Sequence, residues 1–492
     1  MPSAAAKAPQ SIRTALLVIL LLTTLFRLGL AALLPPIVDE AYVIGVARQL
    51  SLSYFDHPPL HFWLIRLTMA LTGSEDILIL RLPFVALGTL TGFLAYRVGA
   101  ALFSAKAGLW AAALFAIAPV FGVAHGTFVL PDGPLLAAGL GLALLLTHPN
   151  LDRAPLGHWL MVGFVAGLGV LAKYHGVLFI LGALVFLISR REDRRALAAP
   201  GPWAAALIAA LLTLPILVWN ATHDWAGFGF QLGRNQGGTL RLLGPVESLL
   251  QQAGYLLPWV MIPAGLAVIA ALRSGPGNRG RWLLALLAVP PILIFTLATF
   301  AKAGLPHWPM PGWVFALPLL GERLAAAGPR LGLWARRIGI GTAVLLAPLV
   351  LVFALQARTG WLDPVLGPET ATREIASWQS LAETLRSDGA VAEPRTFVAA
   401  FDWIRAGELN YVLGGHVPVL CLCDQPHHFR WLNPPGDFAG WRGVLVDKPG
   451  NLAKRGVAGS FDTLTTPSAI AVTRNGRDII SLEMAIGAGF RP

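Results

Sequence analysis

Few side chains in this sequence can do chemistry, and they fall in short groups separated by long apolar stretches. Asp39-Glu40 come first, then Tyr54-Phe55-Asp56-His57-Pro58-Pro59. His125 and Asp132 follow, then Lys173-Tyr174-His175. A fourth group holds Asn220, His223, Asp224, Arg234 and Asn235, and a fifth holds Lys302, His307 and Trp308. Ionisable groups at membrane depth are costly and usually line a cavity or a site. Carboxylates beside cations and imidazoles make a site for an anionic group plus a base. A carboxylate can take a proton from an attacking hydroxyl. Lysine and arginine can hold a phosphate leaving group, and a site beside a bilayer can take that phosphate from a lipid.

Each group also has a plainer reading. Asp39 and Glu40 could cap an amphipathic stretch over 40–51, since acids favour helix N-termini. Asp56-His57-Pro58-Pro59 could be a rigid turn. Asp132 follows Pro131 and could cap a helix, and Lys173 could snorkel to the interface. Arg27, inside the first apolar stretch, pairs with an acid or snorkels. Trp259, Trp308 and Trp313 read as interfacial belt residues. Cys421 and Cys423, the chain's only cysteines, exclude a disulfide framework. They are too few for a four-cysteine zinc site, and with His427 and His428 their spacing matches no standard metal set.

The elements that must position these residues follow from composition. Of 492 residues, 55% are hydrophobic and 13% charged, with a mean hydropathy of +0.65. Soluble domains carry about 25% charged residues, so a soluble enzyme, a disordered chain and a coiled coil are excluded. The net charge of +11 is read as basic residues holding cytoplasmic loops, with no nucleic-acid partner. Spans need about 20 apolar residues. Eleven are expected, at 14–34, 78–102, 106–122, 130–147, 157–171, 174–189, 200–219, 248–271, 282–300, 308–320 and 338–356. The first is read as a retained anchor rather than a signal peptide. Loop arginines and lysines place the N-terminus in the cytoplasm, and an odd span count then puts the tail outside. The expected organisation is a membrane domain over 1–356, with a first outer loop at 35–77, and a soluble outer domain over 357–492. In that tail, Ile375, Trp378, Ala382 and Leu385 have helical spacing, and β-like runs stand at 396–400, 417–421, 443–447 and 469–474.

Several segments are familiar together. Val38-Asp39-Glu40-Ala41-Tyr42, Tyr54-Phe55-Asp56-His57-Pro58-Pro59-Leu60, Trp63-Leu64 and Arg81-Leu82-Pro83 resemble the first outer loop of family 39 glycosyltransferases. That family includes bacterial relatives of protein O-mannosyltransferases and the aminoarabinose transferases that modify lipid A. Leu130-Pro131-Asp132-Gly133-Pro134-Leu135 looks like the family's Asp-x-Pro segment. Lys173-Tyr174-His175-Gly176, Phe230-Gln231-Leu232-Gly233, His307-Trp308-Pro309-Met310-Pro311 and the outer-domain stretch Leu409 to Gly415 are similar to later segments.

The resemblance implies an all-α polytopic GT-C membrane domain with a small α/β outer domain. It implies transfer of a sugar from a polyprenyl-phosphate donor on the periplasmic face of a bacterial inner membrane. The acceptor would be an envelope molecule: lipid A, another glycolipid, a polysaccharide or a protein. Carried over by motif, Asp39 is the catalytic base or its electrostatic equivalent, supported by Glu40. Asp132 orients the acceptor or the base. Asp56 sits where relatives place a carboxylate near a divalent metal ion or the lipid phosphate. Lys173, Arg234 and Lys302 are candidates for the donor phosphate, and His57, at a position that is lysine in some relatives, is placed with them. A competing reading is a transporter or lipid flippase, which many helices and intramembrane charges also fit; no internal repeat of the kind many transporters show is visible. A membrane-bound scaffold whose outer domain binds envelope polymers would leave the outer-loop charges unexplained.

Overall fold

The computed structural model describes residues 8–233, 239–367, 372–373 and 375–492. Helices dominate: α1 Gln10–Leu33, α2 Val38–Ala47, α3 Leu60–Thr72, α4 Ile77–Leu102, α5 Ala105–Ile117, α6 Asp132–Leu145, α7 Leu156–Ala172 and α8 Gly176–Ser189. Then come α9 Arg191–Arg194, α10 Pro200–Thr222, α11 Ala226–Gly233, α12 Gly244–Leu256, α13 Pro258–Ser274, α14 Arg279–Leu297, α15 Met310–Ala326 and α16 Pro329–Thr359. The C-terminal part adds α17 Asp363–Leu366, α18 Gln379–Ser387, β1 Thr396–Ala400, α19 Trp403–Val412, β2 Val419–Cys421, α20 Phe429–Leu432, β3 Arg442–Asp447, α21 Asn451–Lys454, β4 Thr463–Leu464, β5 Ser468–Arg474 and β6 Arg477–Ala488.

Among the described residues, six helical segments are long and apolar enough to cross a membrane: Gln10–Leu33, Ile77–Leu102, Pro200–Thr222, Pro258–Gly277, Arg279–Phe300 and Pro329–Thr359. The chain is a multi-pass membrane protein. Helices α5 to α8 are apolar but shorter, so eleven full-length spans are not established. Two expected spans are also corrected in outline. The stretch 248–271 is two helices, broken at Leu257, which has φ of 73° and precedes Pro258. The stretch 106–122 leaves the α conformation at Ala118 (ψ 119°) and passes through a π turn at Val120–Ala124. Proline at 119 explains the break, because it disfavours helical geometry in the residue before it.

Contacts divide the chain into two compact units. The first comprises residues 1–29, 52–61 and 81–347; the second comprises 30–51, 62–80 and 348–492. The first unit is a helical bundle whose core draws on α5, α6, α8, α13, α14 and α15, with Phe121, Leu140, Phe186, Leu284 and Phe315 all below 2% exposed. Close backbone approach at glycines sets some of its crossings. A Cβ on Gly163 of α7 would lie 2.3 Å from the Ala205 carbonyl of α10, and one on Gly182 of α8 would lie 2.4 Å from the Leu286 carbonyl of α14. Small residues at such crossings are how helices pack in lipid. The outward faces stay apolar, as at Leu17, Leu21, Val344 and Leu345. Some loop arginines are structural: Arg279 forks onto buried Asp193, and its Nη2 donates to the Leu146 and His148 carbonyls at 2.9 Å, capping the end of α6. Trp313 is no belt residue. It is 4% exposed, and its Nε1 donates to Gln252 Oε1 at 2.9 Å inside the bundle.

The second unit contains a six-stranded sheet in the order β2-β1-β3-β6-β4, with β5 also pairing β6. Strands β1, β2 and β3 are parallel, and β6 runs antiparallel to β3. Phe397, Phe438, Phe461 and Phe490 fill one face. The four β-like runs are strands, but β6, the longest, was not expected. It follows β5 through an Asn475-Gly476 turn, both residues at positive φ (52° and 71°), the geometry a two-residue hairpin requires. The helix expected over 372–387 begins at Gln379. Cys421 and Cys423 form a local disulfide, Cα–Cα 5.3 Å. One local bond is not the framework that two cysteines exclude, and it leaves neither sulfur as a thiolate for a metal. Two carboxylates anchor this unit. Asp447 meets Arg405 and Arg455, and Asp363 is gripped by Arg474 through Nη2 at 2.8 Å and Nε at 3.0 Å.

Candidate active site

In the first unit the functional groups gather around Asp132. Pro131 ends the preceding segment and Asp132 opens α6, but the side chain does not cap that helix. Lys173 is where α7 stops, with extended φ and ψ of −158° and 144°. Its Nζ donates to both Asp132 oxygens at 2.9 Å. The two residues are 3% and 4% exposed, so the capping reading of Asp132 and the snorkelling reading of Lys173 are both corrected. A buried pair of this kind contributes little net stability, but leaving either charge without the other costs about 3–5 kcal/mol.

Imidazoles surround the pair. His125 Nε2 lies 3.8 Å from Asp132 Oδ1. His175 stacks on Phe295 with ring centroids 4.3 Å apart. His57 is half-buried and meets buried His61 edge-on at 5.7 Å. His307 stands in the loop before α15; burial, and then the Lys173 ammonium, push it down to about 3, so it is neutral at physiological pH. Nδ1 of His125 and Nε2 of His175 are buried and have no hydrogen-bond partner among the described residues. Together these groups form a buried polar cluster in which Lys173 balances the charge of Asp132 and two ring nitrogens stay without a partner among the described residues.

The neighbouring loops are braced. Asp56 is 6% exposed, and its backbone carbonyl accepts from Gln231 Nε2. Phe55 packs on Phe230 at 4.7 Å. Asn220, fully buried, accepts the Phe228 N–H and donates to the Ile216 carbonyl, both at 3.0 Å. Lys302 is exposed, and Arg234 lies outside the described residues. Among the described residues Arg27 pairs with no acid, and at 1% exposed it does not snorkel. Its Nε donates to the Gly122 carbonyl at 2.9 Å, and the guanidinium lies 5.6 Å from the Phe115 ring centroid. It thereby supplies a donor to the irregular turn that precedes His125.

The second unit holds Asp39 and Glu40, in the first turn of α2. Asp39 is exposed, while every residue from Glu40 to Ala47 is buried. An amphipathic helix was expected here; α2 is instead a buried core helix. Glu40 Oε2 accepts the Ile37 N–H at 3.0 Å, half of a capping box. On α19, Glu408 is 3% exposed; burial, and then the Glu40 charge, push its carboxyl up to about 8. Sequence reasoning missed His61, Arg48 and Glu408. Of these only His61 carried a signal, its place directly after the Asp56–Leu60 motif.

The profile of the family described as dolichyl-phosphate-mannose-protein mannosyltransferase matches residues 56–219, from Asp56 through Asp132 and Lys173. A lipid A galacturonosyltransferase of Rhizobium johnstonii is 28% identical over 379 residues, covering 74% of this chain and 76% of that protein. An undecaprenyl phosphate-alpha-4-amino-4-deoxy-L-arabinose arabinosyl transferase of Pseudomonas aeruginosa is 31% identical over 289 residues. That match spans 56% of this chain and about half, 51%, of the relative. The crystal structure of ArnT from Cupriavidus metallidurans bound to undecaprenyl phosphate superposes with a TM-score of 0.68 at 17% identity, covering 97% of this chain and 98% of that one. The chain has the GT-C glycosyltransferase fold. Its sequence relatives are membrane glycosyltransferases, as the motif resemblance implied.

Proposed function

We propose that this GT-C protein transfers a sugar from a polyprenyl-phosphate donor to an envelope acceptor, with lipid A the first acceptor to test, on the periplasmic face of a bacterial inner membrane. The observation that carries the reading is the buried Asp132–Lys173 pair with its ring of imidazoles, set in a fold that also binds undecaprenyl phosphate in ArnT. The relatives' substrates support the donor and acceptor classes. The Cys421–Cys423 disulfide supports the placement of the second unit, because such bonds persist in oxidising compartments.

In the proposed reaction an acceptor hydroxyl or amine attacks the anomeric carbon of the donor. The bond from that carbon to the phosphate oxygen breaks, and polyprenyl phosphate leaves with the electron pair. Asp39 takes the proton released by the nucleophile, with Glu40 beside it. Asp132, held by Lys173, orients the sugar or acceptor hydroxyls. That use of Lys173 replaces direct phosphate binding as its first role, because its ammonium is already spent on Asp132. His57, Arg234 and Lys302 remain the candidates for the phosphate. The divalent ion assigned to Asp56 by resemblance has, among the described residues, no set of three His, Cys, Asp or Glu side chains to hold it.

The test is turnover by purified protein in nanodiscs. Undecaprenyl-phosphate-linked galacturonate and aminoarabinose are supplied in turn with lipid A, and release of undecaprenyl phosphate is followed for wild type and Asp39→Asn. Release by wild type alone supports the reading and names the sugar. Equal release by both removes Asp39 from the mechanism, and no release with any donor favours a transporter.

A further inference from the structure

The helix that carries Asp39 is held from one side by the C-terminal residues of its own unit. Two backbones approach closely there. A Cβ on Gly45 of α2 would meet the Asn410 side chain at 2.9 Å, and a Cβ on Gly407 of α19 would meet Tyr42 Cα at 3.2 Å. Tyr42, one turn after Asp39, is 4% exposed. Its ring sits edge-on to Trp403, His427 and Phe429 at 5.5, 6.1 and 5.8 Å, and its hydroxyl accepts the His428 N–H at 3.1 Å. His427 and His428 stand on the loop that the Cys421–Cys423 disulfide opens.

At the other end of α2, Arg48 uses all three guanidinium nitrogens. Nε and Nη2 fork onto Glu75 at 3.0 and 2.8 Å. Nη1 donates to the Asn410 backbone carbonyl at 2.6 Å and to its side-chain oxygen at 3.0 Å, and Nη2 also reaches the Tyr411 carbonyl at 3.1 Å. Those carbonyls belong to the last turn of α19, where a helix has no internal donors left and where positive charge is favoured. One side chain therefore ties α2, the segment after α3 and the end of α19. Only a planar fork can do this; a lysine ammonium reaches one partner or the other.

We propose that Arg48 is a positioning residue for the transfer reaction: it locks α2 to α19 so that Asp39 is held at a fixed place and angle. The C-terminal α/β part then serves as a brace for the base helix. This rests on the reading of Asp39 as the base. Near-attack geometry is steep in distance, so loosening the lock lowers kcat while donor binding is kept.

The experiment compares wild type, Arg48→Lys, Arg48→Gln, Tyr42→Phe, Asp39→Asn and, as a control, exposed Arg66→Gln. Donor KM, kcat per folded molecule and the thermal midpoint are measured for each. The expected result is a kcat lowered roughly ten- to a hundredfold in both Arg48 variants, with donor KM within about twofold and a smaller loss in Tyr42→Phe. A second arm restores the lock by another bond. In the Arg48→Gln background, Gly45→Cys with Asn410→Cys places two Cβ atoms about 3.4 Å apart, close to the separation a disulfide needs. Oxidised, this variant recovers kcat; reduced, it loses it again, while Arg48→Gln alone does not respond. Wild-type kcat in the Arg48 variants with Asp39→Asn inactive overturns the lock and leaves the transfer reading standing. So does a cross-link that forms without raising kcat. Full activity in Asp39→Asn overturns the assignment of the base, and the lock with it. A fallen midpoint with unchanged kcat per folded molecule makes Arg48 purely structural and also overturns the inference.

Discussion

Replacing Glu408 by glutamine will flatten the pH dependence of stability in the second unit. The carboxyl is pushed up to about 8 from an ordinary 4.5, by burial first and by Glu40 second. A raised acid holds its proton more tightly folded than unfolded, so its contribution is complete below pH 4.5 and is lost as pH rises through 8. Each pKa unit corresponds to about 1.4 kcal/mol. The wild-type protein therefore loses on the order of 3 kcal/mol between pH 4.5 and 7 from this group, and on the order of 5 kcal/mol by pH 9. Glutamine keeps the shape and cannot ionise. The assay is chemical unfolding in detergent at pH 5, 6, 7, 8 and 9, followed by tryptophan emission, with Trp403 at the start of the same helix. Subtracting the variant's curve from the wild type's removes the other groups that titrate in this range. The difference should run in glutamine's favour and grow with pH up to about 8. Parallel curves would refute the reasoning, since Glu408 would then be ionised in both states.

Breaking the buried pair with Asp132→Asn or Lys173→Met should each cost about 3–5 kcal/mol of stability, and the double variant should cost less than the two added; a double-mutant cycle of unfolding free energies with no coupling would contradict the geometry. His307, held down to about 3, should contribute no limb to the pH–rate profile between 5.5 and 7.5, so His307→Gln should leave the profile's shape there unchanged. Trp313→Phe should destabilise by about 1–3 kcal/mol, because it orphans a buried Gln252 oxygen; thermal unfolding measures it. Thiol titration of the unreduced protein should find no free cysteine, and two after denaturation with reductant.

Much of the fold was legible because burial in lipid leaves a coarse, local signature. Apolar length marked every long helix, and alternation marked four of the strands. Boundaries failed where a backbone torsion decided them, as at Ala118 and at Leu257 before Pro258. The Asn475-Gly476 turn was readable and β6 was still missed, since its mixed polar pattern gives no clean alternation.

The candidate site divides in the same way. Composition alone determined a multi-pass membrane protein, because a chain 13% charged cannot cover itself with water-facing groups, and the rarity of its charges singled out Asp39, Asp132 and Lys173. Tertiary structure alone decided what those charges do. It paired Lys173 with Asp132 across 41 residues of sequence, joined Arg48 to Asn410 across 362, and buried Glu408 near Glu40. None of these follows from spacing, because an ion pair depends on which helix faces meet, and that depends on the packing of the whole bundle rather than on any one segment.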